Sequence, residues 1–432
     1  MMREAAKNLK LVTRNYLAFQ VFFALLFWLP VFYEVQKQLG MDERQIFGIQ
    51  SAYYLAFCLL EIPTGWFADR FGLIRSLRWG AGVLVLAHAV VVLRDFDVVS
   101  SAVVVFYAHF LLIALARSLI SGASNAYLYE VYLRAGRSEE YVHVEGRARA
   151  YGLMTKIVSW SGVGFLTQQF LLSSYWLSLG SALVSVYFAT RLPEFMASPL
   201  GLSGVKVSSP EDAVSSPQAK KTHARSASLL RAWAEVWRHP RLLGLMIQGM
   251  GVFVLARLIQ VNLFQPLVLS QGWSVASLGW IMALMTAAEA LASLRLKSVL
   301  GRMGAVKAVS ALTAALAAVV VGLAYSGQWM GLACFILFSG LVGLVGPIQR
   351  QVINGAITDS SNRAILLSFE SLLDRGATSL MAYLLGIFMA HEKMALFLTL
   401  SGMLFMVTAA FQQWQLAPKQ KQSPVSKIAP SV

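Results

Sequence analysis

The sequence predicts an all-α membrane protein of twelve transmembrane helices, on three observations. Of 432 residues, 57% are hydrophobic and 13% charged, whereas a soluble domain is about one quarter charged, so one aqueous core cannot hide this surface. Apolar stretches of the roughly 20 residues needed to cross about 30 Å of hydrocarbon recur from end to end. Lys and Arg concentrate in alternate connections, as expected when positive loops stay in the cytoplasm.

In chain order the stretches are 16–36, 47–67, 77–93, 99–122, 149–171 and 174–190, here called spans 1 to 6. Spans 7 to 12 are 242–264, 276–296, 306–325, 329–349, 364–389 and 394–414. Before span 1 stand Arg3, Lys7, Lys10 and Arg14 with no small-residue cleavage site, which reads as an uncleaved first helix. With the N-terminus inside, 28 of the 36 Lys and Arg lie in or beside the inner segments and 4 in the outer loops. Both termini are therefore expected in the cytoplasm. The same asymmetry explains the net charge of +15 as topology and gives no reason to expect a nucleic-acid partner.

The organisation expected is a first six-helix half over 1–190, a cytoplasmic linker over 191–241, a second half over 242–414 and a disordered cytoplasmic tail over 415–432. The linker carries Pro210, Pro217 and a Ser-rich stretch from Ser208 to Ser216. Its end, Leu229 to Trp237, has the apolar spacing of a short helix lying on the membrane face. Two alignments suggest duplication: Arg70 and Gly72 after span 2 match Arg302 and Gly304 after span 8, and Arg149-Ala150 opening span 5 matches Arg363-Ala364 opening span 11. Cys58 and Cys334 lie apart in apolar runs and signal neither a disulfide nor a metal site. No nucleotide loop, metal cluster or nucleophile-base pair appears, so neither an enzyme nor a cofactor is expected.

The most specific motif follows span 2: Gly65-Trp66-Phe67-Ala68-Asp69-Arg70-Phe71-Gly72, then Arg75 and Arg78. It resembles the signature loop of the major facilitator superfamily, differing at Leu73-Ile74 where that loop carries a basic pair. Arg117 through Gly122 in span 4, Arg191-Leu-Pro193-Glu194 after span 6, and Gly346-Pro347 through Asn354 to Arg363-Ala364 and Ser368 extend the resemblance toward bacterial drug-exporter-like members. The resemblance implies two six-helix bundles related by a pseudo-twofold axis, in the inner membrane of a bacterium. It also implies a monomeric secondary transporter that moves a small molecule by alternating access, with protons as coupling ion and efflux of an organic compound as the leading activity. Uptake or export of a polar metabolite, siderophore or metal species stays open, as does a non-transporting receptor of the same fold. Gly65, Asp69, Arg70, Gly72 and Arg75 would form the conformational gate, Asp69 meeting the positive end of span 11.

Ionisable groups at bilayer depth cost a few kcal/mol on insertion scales, so each is a functional candidate. Counted from the drawn span ends, Glu61, Lys156, Glu289 and Glu370 each lie about seven residues, or ~10 Å, from the inner end. Because spans 5 and 8, and spans 2 and 11, meet in the implied fold, Lys156 is expected to pair with Glu289, and Glu61 to lie near Arg375 or the start of span 11, at the inner gate. Static pairing within one half, or snorkelling, is the alternative. Glu61, Glu289, Glu370 and Asp374 qualify by depth for proton coupling, Glu289 first because its own span holds no opposite charge before the inner end, and Arg117 is a further candidate. Arg257, Glu34 and Trp28 are those for the substrate cavity, with an Arg257–Glu34 pair as the structural alternative. Pro30 and Pro347 are expected to bend spans 1 and 10.

Overall fold

A computed structural model describes residues 2–96, 100–194, 240–356 and 363–416, and among these the regular structure is entirely helical. Each of the twelve apolar stretches carries helix. Spans 2, 3, 4, 7, 8, 9, 10 and 11 give eight helices long and apolar enough to cross a membrane. The other four fall short for visible reasons. Span 1 is helix Met2–Ala24 and short helix Phe32–Gln38, interrupted around Pro30, whose ring removes a donor and blocks the preceding turn. Span 5 divides into Tyr141–Trp160 and Val163–Gln169. Span 6, Ser173–Thr190, spends five of its positions on serine, and the apolar part of span 12 is Met394–Ala410. Most of the linker and tail, with the helix expected at 229–237, lies outside the described residues.

The helices form two six-helix bundles, and the duplication is visible in the backbone. Span 2, helix Glu43–Phe71, turns into span 3, helix Leu73–Val92, through Gly72 at φ 96° and ψ 149°. Short helix Leu296–Met303 turns into span 9, helix Ala305–Ala324, through Gly304 at φ 73° and ψ 156°. This region of backbone space is essentially reserved for glycine, so residues 232 positions apart make the same turn by the same means. The second alignment differs: Arg363 opens helix Arg363–Ala390, but Arg149 lies in the interior of Tyr141–Trp160.

The bundles meet along three seams. Both described chain ends lie on one side, called here the termini side, and the opposite end is the far side. Spans 2 and 11 run antiparallel. From the far side inward they share Arg44 Nη2 with His391 Nε2 at 3.2 Å, Ser51 Oγ with Ser379 Oγ at 3.0 Å, and Cys58 Sγ donating to the Leu372 carbonyl at 3.5 Å. Spans 5 and 8 approach through glycines: a methyl on Gly279 would strike the Trp160 carbonyl, and one on Gly164 would strike the carbonyl of Val275. Small residues permit such backbone approach in lipid, where no hydrophobic force drives helices together. Spans 1 and 7 meet through one glutamine, described below.

Large apolar side chains such as Leu59, Trp79, Val158, Phe170, Leu294 and Val407 are exposed. That inversion is what lipid allows and water penalises.

Candidate functional site

Span 7 is where the helical register is disturbed most. Helix Pro240–Arg257 passes into a π-helical turn, Leu258–Leu263, before helix Phe264–Ser270. Pro266 cannot donate to the preceding turn, and the wider turn absorbs the mismatch; such π-turns concentrate at functional sites. Asn262 Nδ2 donates to the Arg257 carbonyl at 3.3 Å, satisfying an acceptor beside the disturbed turn. Gln265, fully buried, then crosses to the break in span 1. Its Oε1 accepts from the amides of Tyr33 at 2.8 Å and Glu34 at 3.4 Å, and its Nε2 donates to the Leu29 carbonyl at 3.1 Å. Two interrupted helices thus complete each other's backbone hydrogen bonding, which an apolar environment requires. Sequence reasoning missed Gln265; its signal was an isolated amide in an apolar run, directly before a proline.

Below this seal the ionisable groups converge. Glu61 of span 2 and Arg375 of span 11 form an ion pair between the bundles. The Arg375 guanidinium lies 4.0 Å from the centroid of the Phe57 ring, and Arg117 of span 4 stands 5.9 Å from the same ring. Lys156 of span 5 sits 5.5 Å over Trp160, and Arg257 of span 7 sits 5.1 Å over Phe253. Lys156 lies within the fields of Arg117, Arg257 and Glu289, and Tyr54 lies within those of Arg257 and Arg117 beside Asn262. Lys156 thus shares a neighbourhood with both arginines, and Tyr54 lies in the fields of the same two.

Lys156 and Glu289 are not brought into contact: Glu289 Oε2 accepts from Gln260 Nε2 at 3.3 Å, and no carboxylate lies within 4 Å of Lys156 among the described residues. The seam explains the gap. Trp160 packs level with Gly279, and Gly164 level with Val275, so Lys156 is level with positions near 283 and Glu289 lies about a turn and a half further toward the termini side. Helix Tyr141–Trp160 begins eight residues before the drawn edge of span 5, whereas Glu289 is four residues from the end of helix Val275–Ser293. The four charges do not form one layer.

Of the cavity candidates, Arg257 alone is at the centre. Trp28 is buried in the first bundle among Phe32, His109, Phe110 and Tyr175. Glu34 is near the far end, accepting from Gln38 Nε2 at 2.8 Å. Glu370 lies inside the second bundle, facing Gly249 beside Gln349, and Asp374 follows one turn later. Pro30 interrupts its helix, while Pro347 stays within the continuous helix Gln328–Ala356.

At the termini side, Asp69 and Arg70 are exposed at the end of span 2, and Arg70 stacks on Trp66 at 5.5 Å. Gly65 lies inside helix Glu43–Phe71. Arg75 pairs with Glu194 at 3.0 Å, and Arg78 donates to the Leu192 carbonyl at 3.0 Å. The basic residues after the motif thus bind the closing Arg-Leu-Pro-Glu of span 6, joining two segments the sequence left separate.

The family model described as Major Facilitator Superfamily matches residues 16–365. This chain belongs to that family. Major facilitators are transporters and not enzymes, and the helices above are those of a multi-pass membrane protein. Among solved structures, a mutant of the nucleoside transporter NupG is similar at TM-score 0.72 and 17% identity, over 94% of this chain and 100% of the other. A mutant of the peptide transporter POT is similar at TM-score 0.67 and 16% identity, covering 94% and 93%. A POT family transporter in complex with 5-aminolevulinic acid follows at TM-score 0.65 and 13% identity, covering 95% of each. At such identities the likeness shows the fold alone. Comparison with curated protein sequences found no match.

Proposed function

We propose that this major facilitator works as a monomer in the cytoplasmic membrane, exporting a small organic compound in exchange for protons by alternating access. The observation that carries the reading is the closure of all three seams on the far side, by Gln265, by Ser51 with Ser379 and by Gly164 with Gly279, above a central group of charges. The excess of Lys and Arg in the termini-side segments supports assigning that side to the cytoplasm, so the conformer is one closed to the outside. The Glu61–Arg375 pair then belongs to the mid-depth gate between spans 2 and 11. Asp69 and Gly72 belong to the latch that closes the cytoplasmic side in the opposite conformer. Lys156 and Glu289 are candidates to approach in that conformer.

Proton exchange needs carboxyls that are reached alternately from the two sides. Glu370 and Asp374, one turn apart on span 11 with no cation within 4 Å among the described residues, suit this better than Glu289, which Gln260 already engages. The outward direction rests on the resemblance of the motifs around Arg117, Arg191 and Gly346 to those of drug-exporter-like members. The test is release of organic compounds from proteoliposomes with and without an imposed pH gradient. Acidification of the side receiving the compound should accelerate release, and Glu370→Gln with Asp374→Asn should remove the acceleration while leaving gradient-independent exchange. Release equally fast with and without the gradient would remove proton coupling from the reading.

A further inference from the structure

The three central cations, each partly buried, lack the directly paired counter-charges that a cation in a membrane protein normally acquires. Arg375 is matched by Glu61. Arg350 is exposed, and its field falls on Glu370 and Asp374. Arg117, Lys156 and Arg257 remain, with one carboxylate nearby, that of Glu289, plus the field between Arg257 and Asp374. None of the three has a carboxylate within 4 Å among the described residues. Each instead rests over one aromatic face, Phe57, Trp160 or Phe253 respectively, at 5.1–5.9 Å.

An aromatic face offsets only part of the hydration a cation loses on entering a membrane protein. Lys156 also lies in the fields of both arginines, and like charges repel. Such an arrangement is maintained where a ligand of opposite sign completes it, and arginine, whose planar fork meets a carboxylate or phosphate bidentately, supplies two of the three groups. The rings beside the charges offer flat apolar surface. Charged heads flanked by aromatic faces fit an organic molecule bearing an acidic group.

We infer that the substrate of this transporter is an organic anion, held at the centre by Arg117, Lys156 and Arg257 against the faces of Phe57, Trp160 and Phe253. The inference rests on the transporter reading and adds the sign of the cargo. It also accords with outward movement, because a membrane potential negative inside expels a negative charge.

The sign of the site can be measured without knowing the cargo. In a Cys58→Ser, Cys334→Ser background, Phe253→Cys places a thiol beside Arg257. Its reaction rates with negatively charged sulfonatoethyl methanethiosulfonate and positively charged trimethylammonioethyl methanethiosulfonate are each divided by those of free glutathione. The normalised anion-to-cation ratio should be about tenfold or higher, and should fall several-fold when Arg257→Gln or Lys156→Gln is added. If Arg257→Gln does not fold, Lys156→Gln carries the same comparison. A ratio at or below that of glutathione, or one unchanged by both neutralising substitutions, would overturn the assignment while leaving the transporter reading intact. A thiol that neither reagent reaches would deny the central cavity itself, and both readings would fall together.

Discussion

Gly72 and Gly304 each hold a backbone conformation that a Cβ cannot share, with open space around them. The penalty for any side chain there is therefore backbone strain rather than crowding. Gly72→Ala and Gly304→Ala should each cost about 1–3 kcal/mol, read as a lowered melting temperature of the detergent-solubilised protein. Gly82→Ala, on a helix with no atom within 4 Å of the new methyl, should have no such effect. Glu61 and Arg375 pose a different question at the same scale. Removing one partner strands the other in a partly apolar site, and because Glu61 is 28% exposed the cost should fall below the roughly 3–5 kcal/mol of a fully buried pair. Arg375→Gln should accordingly slow transport more than Arg375→Gln combined with Glu61→Gln, in initial rates from vesicles matched for protein content. Equal or additive defects would mean the pair is not coupled.

Whole elements were legible in the sequence because hydropathy and charge asymmetry report on the bilayer, and every apolar stretch does carry helix. Their edges were less legible. Tyr141 to Arg149 is helical but polar, so an apolar window found only the part of span 5 that lipid would cover. Every depth counted from that edge was displaced, Lys156 with it. The motif loop could be read directly, since Gly72 must turn the chain, but its contact with Glu194 joins residues more than a hundred positions apart and leaves no local pattern. The interruptions of spans 1 and 7 lay between these cases: Pro30 marked one, while the π-turn before Pro266 depends on backbone register that hydropathy does not encode. Gln265 bridges the two. Replacing it with Leu removes three hydrogen bonds of ~1 kcal/mol each and strands their partners. The far side should then open more often by about 2 kcal/mol, on the order of 30-fold in equilibrium. Tyr33→Cys labelling from the far side should rise in that variant, and an unchanged rate would show that Gln265 does not hold the seal.

At the scale of the whole molecule, two related bundles touch along seams that have few polar contacts. Between spans 5 and 8, backbone meets backbone with no interlocking side chain at Gly164 and Gly279, a surface suited to separating and closing again. Between spans 2 and 11, paired hydroxyls and one ion pair fix the register without burying much charge. A rocking motion that opens the far side must therefore break the Ser51–Ser379 contact. Ser51→Cys with Ser379→Cys, in the background lacking Cys58 and Cys334 and with Phe253→Cys as reporter, makes that requirement testable. In membrane vesicles of both orientations, the reporter should be reachable from either side before oxidation. After the disulfide forms, labelling from the far side should stop, labelling from the termini side should persist, and reduction should restore both. Far-side labelling that continues with the disulfide in place would contradict alternating access through these seams.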